Sequence, residues 1–203
     1  MKILIAVAAV AGMMGVAHAQ DNTAINNPLT KLIGVWEGDK GVDVAPAQKK
    51  TGLPPGSPAV SPYFEKIVIS EGGGATNASE QDLVTVSYRQ QVFRKSDNKI
   101  FHDQVGFWIW DKKNNTILDS FCIPRAICTT AEGKLIQPDV FNVQTHDAFA
   151  ESSFLKKNAK TTDFSIELKF NPDGTLTYTQ KTSLEIYGKK FTHVDSDTLK
   201  KKS

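Results

Sequence analysis

Histidine is the side chain of this sequence best suited to binding a metal, and few positions carry it. The sequence has four histidines, and three of them, His102, His146 and His193, lie beyond the first twenty residues. A neutral imidazole binds iron, zinc or copper and can also take up a proton near neutral pH. The three residues are far apart in sequence and lack the close pairing of a zinc motif, so a zinc site is not predicted.

His193 is the leading candidate for a metal ligand because it lies in an alternating segment near the C-terminus. Phe191, His193 and Asp195 alternate with Thr192 and Val194, which is typical of a strand with two different faces. If the face of Phe191 is turned to the interior, His193 is a buried donor beside an aromatic side chain. If the strand is instead a lysine-rich edge strand, His193 is an ordinary surface histidine.

His102 also lies in a predicted strand, which continues into Gly106, Phe107 and Trp108. In one interpretation its side chain forms part of the wall of a site and touches a bound ligand. In the other, which we favour, it is half-buried and hydrogen-bonded to a neighbour, Asp103 or Gln104. His146 lies in an insertion, where we expect it to be solvated.

The motifs of several large enzyme classes are missing. The sequence contains no Gly-x-Ser-x-Gly, no P-loop, no His-Glu-x-x-His and no Cys-x-x-Cys. The glycines at 72–74 do not stand between a strand and a helix, so they indicate a loop and not a phosphate-binding turn. Serine, histidine and aspartate residues occur, but none has the spacing that identifies a catalytic triad.

The segments that carry the histidines predict an all-β fold. Apolar and polar residues alternate over 165–170, and the Asn-Pro-Asp-Gly sequence that follows predicts a type I turn into a further alternating segment. Strands are likewise predicted at 63–70, 83–94, 100–110, 116–123, 126–132 and 190–199. About ten short antiparallel strands form a sandwich or a barrel. One short helix is predicted within 146–157, and the stretches 45–62 and 71–81 are predicted to be loops.

The start of the first predicted strand favours a barrel over a sandwich. Gly34 and Trp36 form a Gly-x-Trp pattern, and Leu29 and Leu32 precede it as a short apolar turn. Such a pattern often closes one end of a small ligand-binding barrel. The predicted fold is therefore a lipocalin-like or fatty-acid-binding-protein-like antiparallel β-barrel.

Residues 1–19 have the organisation of a cleavable export signal. Lys2 precedes an apolar run over 3–16, and Ala17 and Ala19 supply the small residues that a signal peptidase requires. The apolar run is too short to span a bilayer of about 30 Å. We expect cleavage after Ala19, an N-terminal arm over 20–31, a single barrel domain over 32–200, and a periplasmic or secreted product.

The charge and the cysteine content limit the classes of partner and indicate whether the cysteines are oxidised. The chain has 24 basic and 22 acidic residues, so no charge excess draws it to nucleic acid. No second long apolar segment follows the signal, so no stable membrane insertion is predicted. Disulfides persist in exported proteins, and we expect Cys122 to bond to Cys128. That bond requires the chain to reverse over 123–127, because a disulfide needs Cα atoms within about 7 Å.

Several segments, in order, resemble the nitrobindin-like haem-binding β-barrels, which are relatives of the fatty-acid-binding-protein fold. The matching segments are 32–41 (LIGVWEGDKG), 63–67 (YFEKI), 101–108 (FHDQVGFW), 124–127 with 131–133 (PRAI and AEG), and 176–178 with 191–194 (LTY and FTHV). The sequence departs from the family pattern at Gln104, where the family has Glu, and at Ala126, where it has Gly. Two insertions, 45–62 and 133–160, also set it apart.

The resemblance implies a haem b cofactor whose iron is ligated by His193. It further implies that His102, Phe191 and Trp36 contribute to the cofactor site. Lys189 and Lys190 lie next to the last predicted strand, where they either pair with the haem propionates or belong to a solvated surface turn. The ligand implied is a gas or small molecule, nitric oxide above all, and the family activity extends to isomerisation of peroxynitrite at ferric haem. Two alternatives stay open: a haem-free carrier of a lipid or other small apolar ligand, and a barrel filled by its own side chains.

Overall fold

Strands predominate in the computed structural model, which describes residues 27–202. A 3-10 helix, Pro28–Leu32, is followed by twelve strands and one α-helix. The strands are β1 (Gly34–Pro46), β2 (Pro58–Glu71), β3 (Ala75–Asn77), β4 (Gln81–Arg94), β5 (Ile100–Asp111), β6 (Thr116–Ile123), β7 (Ile127–Lys134), β8 (Val140–His146), β9 (Phe149–Glu151), β10 (Ala159–Phe170), β11 (Thr175–Ile186) and β12 (Lys189–Lys201). The helix, α1 (Ser153–Asn158), joins β9 to β10. The expected signal at 1–19 and the first part of the expected arm, 20–26, lie outside the described residues.

Ten of the strands close into an antiparallel barrel, which confirms the predicted fold class. Their order around the barrel is β2, β1, β12, β11, β10, β8, β7, β6, β5 and β4, and β2 pairs with β4 to close it. The two short strands lie outside this ring, with β3 paired to β4 and β9 paired to β7. The closure leaves few free sheet edges, because all ten strands of the ring have a neighbour on each side.

One end of the barrel is closed by the 3-10 helix. Leu29 and Leu32 are fully buried, and the indole Nε1 of Trp36 donates a hydrogen bond of 2.7 Å to the Leu32 carbonyl oxygen. Burying such a leucine contributes about 1.5–3 kcal/mol. Pro28 and Leu29, which fall within the expected arm, are therefore buried, because their apolar side chains fill the end of the barrel, whereas Thr30 and Lys31 are exposed.

The predicted loop over 45–62 is wrong at both of its ends. Val44 pairs with Val60 and Pro46 with Pro58, so β1 and β2 extend into the segment and only 47–57 is a connection. Prolines are tolerated here because β2 pairs with β4 only from Tyr63 onward, which leaves a free edge before that residue.

One further segment differs from its prediction, because the stretch 71–81 contains the short strand β3. The short helix predicted within 146–157 is confirmed as α1. It begins at Ser153, where Ser152 caps it by accepting a hydrogen bond from the Leu155 N–H at 3.3 Å, and β9 occupies part of the preceding stretch.

The predicted disulfide is confirmed. Cys122 on β6 and Cys128 on β7 are bonded, with Cα atoms 4.1 Å apart, and they face each other in the hairpin register. The chain reverses between the two strands, where Ala126 has a φ of 62°. This left-handed conformation favours glycine, which accounts for the glycine that the resembling family carries at this place. Among the described residues, no helix is long and apolar enough to cross a membrane.

Candidate functional site

A large cavity opens at the end of the barrel away from the 3-10 helix. Its volume is about 1030 Å³, at the upper end of the range of small-molecule pockets. The wall combines polar and apolar side chains, and its apolar part includes Phe121, Ile123, Ile127, Phe149, Phe164, Leu184 and Ile186. A cavity of this size and composition can accommodate a large, flat, apolar ligand.

A smaller polar cavity of about 70 Å³ adjoins the large one. His102 and His193 line both cavities, so the two histidines stand where the apolar wall meets the polar end. The polar end is further lined by Asp43, Asp195 and Tyr178. The structure thus brings together the two histidines that the sequence singled out.

His193 lies inside the barrel, in contact with two carboxylates. Its side chain is 12% exposed, and Nε2 lies 2.5 Å from Asp43 Oδ1 and 3.3 Å from Asp195 Oδ1. Asp43 and Asp195 are direct partners in the register of β1 and β12, so both project to the same side as His193. The surface interpretation of His193 is therefore wrong.

Burial and hydrogen bonding have opposite effects on the charges of His193, Asp43 and Asp195. Burial lowers the pKa of His193, but the hydrogen bonds and negative charges of Asp195 and Asp43 outweigh it and raise the pKa to about 9. Burial also raises the pKa of Asp43. For Asp195, burial is again the largest single influence and acts to raise the pKa, but the hydrogen bond and positive charge of His193, together with smaller contributions from His102 and Asp43, outweigh it and lower the pKa.

The contact of His193 with the carboxylates leaves one ring nitrogen available. Nε2 donates its proton to Asp43, and among the described residues Nδ1 has no hydrogen-bond partner. A metal-ligating histidine typically donates its other ring N–H to a carboxylate, which fixes the ring and makes it a better donor. The donor atoms of Asp43, His193 and Asp195 also lie within 4.8 Å of one another, close enough to share a metal cation.

His102 is the neutral counterpart of His193. Its Nε2 lies 3.2 Å from Gln104 Oε1, as the favoured sequence interpretation expected, and its ring also lines the cavity. Burial lowers the pKa of His102, so the ring is uncharged near pH 7. Gln104 in turn donates to the Tyr88 hydroxyl at 2.6 Å, and Tyr88 donates to Asp119 Oδ1 at 2.9 Å.

A second buried polar network lies beside the polar cavity. Tyr178 donates to Glu65 Oε1 at 2.9 Å, Gln90 donates to Glu65 Oε2 at 2.6 Å, and the Tyr63 and Tyr178 hydroxyl oxygens lie 2.6 Å apart. Burial raises the pKa of Glu65 to about 8. A glycine is required at Gly41 because a Cβ there would lie 1.9 Å from the Tyr63 ring. The sequence analysis missed this network, which has no short motif.

Three residues considered in the sequence analysis lie away from the histidine pair. Trp36 packs at the closed end, with its ring against Phe170, and lines neither cavity. Phe191 shares the inward face of β12 with His193 but does not line the cavities. His146 is exposed, as expected, and contacts Asp163 at the barrel surface.

Comparison with known families agrees with this geometry. Residues 26–201 match the model of the THAP4-like, heme-binding beta-barrel domain. The chain belongs to this family. No curated protein matches the chain well enough to be reported as a relative.

The residues present fit a haem, the cofactor that the family implies. The apolar wall suits a porphyrin face, since most of the free energy of binding such a ligand comes from apolar burial. His193 and His102 supply imidazole nitrogens at the inner end. Lys189 and Lys190, which line the cavity mouth, supply positive charge for carboxylates such as the propionates.

Proposed function

We propose that this protein is an exported haem b-binding barrel that uses His193 as the axial iron ligand and binds nitric oxide or related reactive nitrogen species. The observation that carries the proposal is the position of His193: it stands at the inner end of a cavity of about 1030 Å³ that is lined in part by apolar side chains, in a chain of the haem-binding barrel family. The export signal over 1–19 supports the periplasmic or extracellular compartment.

Each group around the cavity has a definite task in this proposal. Asp43 and Asp195 hold the His193 ring by its Nε2–H, which leaves Nδ1 as the iron donor. Because the pKa of His193 is about 9, cofactor binding must release a proton from this ring at neutral pH.

His102 faces the same cavity as an uncharged ring, able to donate or accept one hydrogen bond to a bound ligand. The apolar part of the wall would contact the porphyrin, and the lysines at the mouth would neutralise the propionates. A haem iron with a single imidazole ligand supplies an open coordination position for a diatomic gas.

The proposal is tested by purifying the chain from cells supplied with a haem precursor. We expect a Soret band, one haem per chain, and a shift of the ferrous spectrum on addition of nitric oxide. If the protein instead carries a co-purified lipid that native mass spectrometry detects, and takes up no haem, the carrier alternative replaces this proposal. A separate assay tests the peroxynitrite activity: the decay of added peroxynitrite is followed by its ultraviolet absorbance, and the nitrate formed is quantified with and without the haem-loaded protein.

A further inference from the structure

The mouth of the large cavity is strongly basic although the chain as a whole is nearly neutral. The mouth is formed by the 47–57 connection, α1 and the turn between β11 and β12. Among the described residues that line the cavity, Glu185 is the only acidic one. The lysines and arginine that line it are Lys49, Arg125, Lys156, Lys157, Lys160, Lys189 and Lys190. In the whole chain 24 basic residues face 22 acidic ones. Positive charge is therefore concentrated at this end.

Large apolar side chains project from the same rim. Phe154 on α1 is 69% exposed, and Leu53 in the 47–57 connection is 46% exposed. None of the residues of α1 is buried, so this helix lies on the barrel without contributing to its core. An exposed aromatic side chain beside several lysines is the combination by which peripheral proteins bind an anionic lipid surface.

We infer that the mouth of the barrel docks on the surface of an anionic phospholipid membrane, with Phe154 inserted among the lipid headgroups and the surrounding lysines paired with phosphates. Basic residues near an anionic lipid surface strengthen binding through attraction to the phosphates, and an apolar side chain that enters the interface adds to this. Lys156 and Lys157 follow Phe154 on the same short helix and carry no salt bridge to another described residue. Lys160 is already paired with Asp147 at 3.5 Å and is given no part in docking.

A lipid surface fits this rim better than a protein partner does. The lysines lie on three separate segments around an opening, which suits a laterally mobile layer of phosphates more than a fixed set of acidic side chains. Docking in this orientation places the cavity opening against the membrane. An apolar ligand could then pass between the lipid and the cavity without crossing water.

Flotation with lipid vesicles tests the inference, using the chain from Gln20 so that the apolar run over 3–16 does not itself bind lipid. The ten strands that close the barrel lie within the described residues 27–202, so this chain contains the whole barrel. We expect binding to vesicles of phosphatidylcholine with phosphatidylglycerol, and at least tenfold weaker binding to phosphatidylcholine alone. Raising the salt concentration should weaken the binding, because the Debye length shortens.

Matched variants at the two ends of the barrel distinguish docking through the mouth from a general effect of the net charge of the protein. Replacing Lys156 and Lys157 by Glu, or Phe154 by Ser, should weaken binding about tenfold or more. Lys112→Glu with Lys113→Glu makes the same charge change in the turn that follows β5, where both lysines are paired with acidic side chains. This double variant should keep most of the binding.

A second control changes a comparable apolar side chain. Ile136 is 86% exposed and lies close to Asp139, which contacts Lys31 of the 3-10 helix, so it marks the closed end. Ile136→Ser should leave vesicle binding unchanged. Absence of binding to anionic vesicles at low salt overturns the inference. An equal loss of vesicle binding in the variants at the mouth and in those at the closed end also overturns it. Haem uptake by the same variants is measured separately, so failure of docking leaves the haem proposal standing.

Discussion

Replacing Asp119 by Asn should make the protein relatively more stable at alkaline pH. Asp119 is 1% exposed and accepts a hydrogen bond of 2.9 Å from Tyr88, and burial raises its pKa from 3.8 to about 7. The native state therefore holds the proton more tightly than the unfolded chain does. Stability from this group is fully present below pH 3.8 and is lost as pH rises to about 7.

The size of the change in stability follows from the pKa shift of Asp119. A difference of about 3 pKa units at 1.36 kcal/mol per unit corresponds to about 4 kcal/mol lost between pH 4 and pH 8. Asparagine keeps an oxygen that accepts the Tyr88 hydroxyl and does not ionise. The unfolding free energy of Asp119→Asn, relative to the parent, should thus rise by about 4 kcal/mol over this pH range.

Urea unfolding followed by tryptophan fluorescence at pH 4 and pH 8 measures this difference. Asp111→Asn serves as the control. Burial acts to raise the pKa of Asp111, but hydrogen bonds from Asn114 outweigh it and the pKa is lowered, so its contribution changes only in more acidic solution. The unfolding free energy of Asp111→Asn, relative to the parent, should be the same at the two pH values. A relative stability of Asp119→Asn that is the same at both pH values would refute the reasoning.

Three further predictions concern stability and are checked by the same unfolding curves. Ala126→Gly should stabilise the protein by about 1 kcal/mol, because φ is 62° there; a loss of stability would contradict this. Replacing Cys122 and Cys128 together by Ser should cost about 2 kcal/mol, since the bond closes a loop with a sequence separation of six; no change would contradict this. Replacing 49–55 by Gly-Ser-Gly should shift Tm by no more than about 2 °C, because Ala47 and Ser57 keep the connecting hydrogen bond; a larger loss would show that the segment packs on the barrel.

The period-two alternation in the sequence was sufficient to predict an all-β fold, because side chains of a strand alternate between its two faces whatever the strand order, and the Gly34-x-Trp36 pattern then favoured a barrel over a sandwich. It was not sufficient to predict how far β2 extends. Pro58 and Pro62 look incompatible with a central strand, yet they lie where β2 has no partner on one side. Whether an edge is free depends on strand pairing, which a single sequence does not reveal.

The histidine site was predictable in part because side chains alternate between the two faces of a strand. His193 and Asp195 share a face of β12, and that follows from their spacing alone. Asp43 comes to the same place through the register of β1 against β12, which shifts at a bulge between Glu37 and Val42. Such a bulge moves every later side chain by one position. The partner of His193 therefore could not be found from the sequence.

The most direct test of the account is a titration with ferric haem of the parent chain, His193→Ala and His102→Ala, followed in the Soret region. We predict that the parent binds one haem, that His102→Ala still binds it with a similar spectrum, and that His193→Ala loses the shifted Soret band and regains a ligated spectrum when imidazole is added. Circular dichroism of His193→Ala should remain that of a folded barrel. A normal Soret band in His193→Ala together with its loss in His102→Ala would contradict the assignment and place the iron ligand on β5.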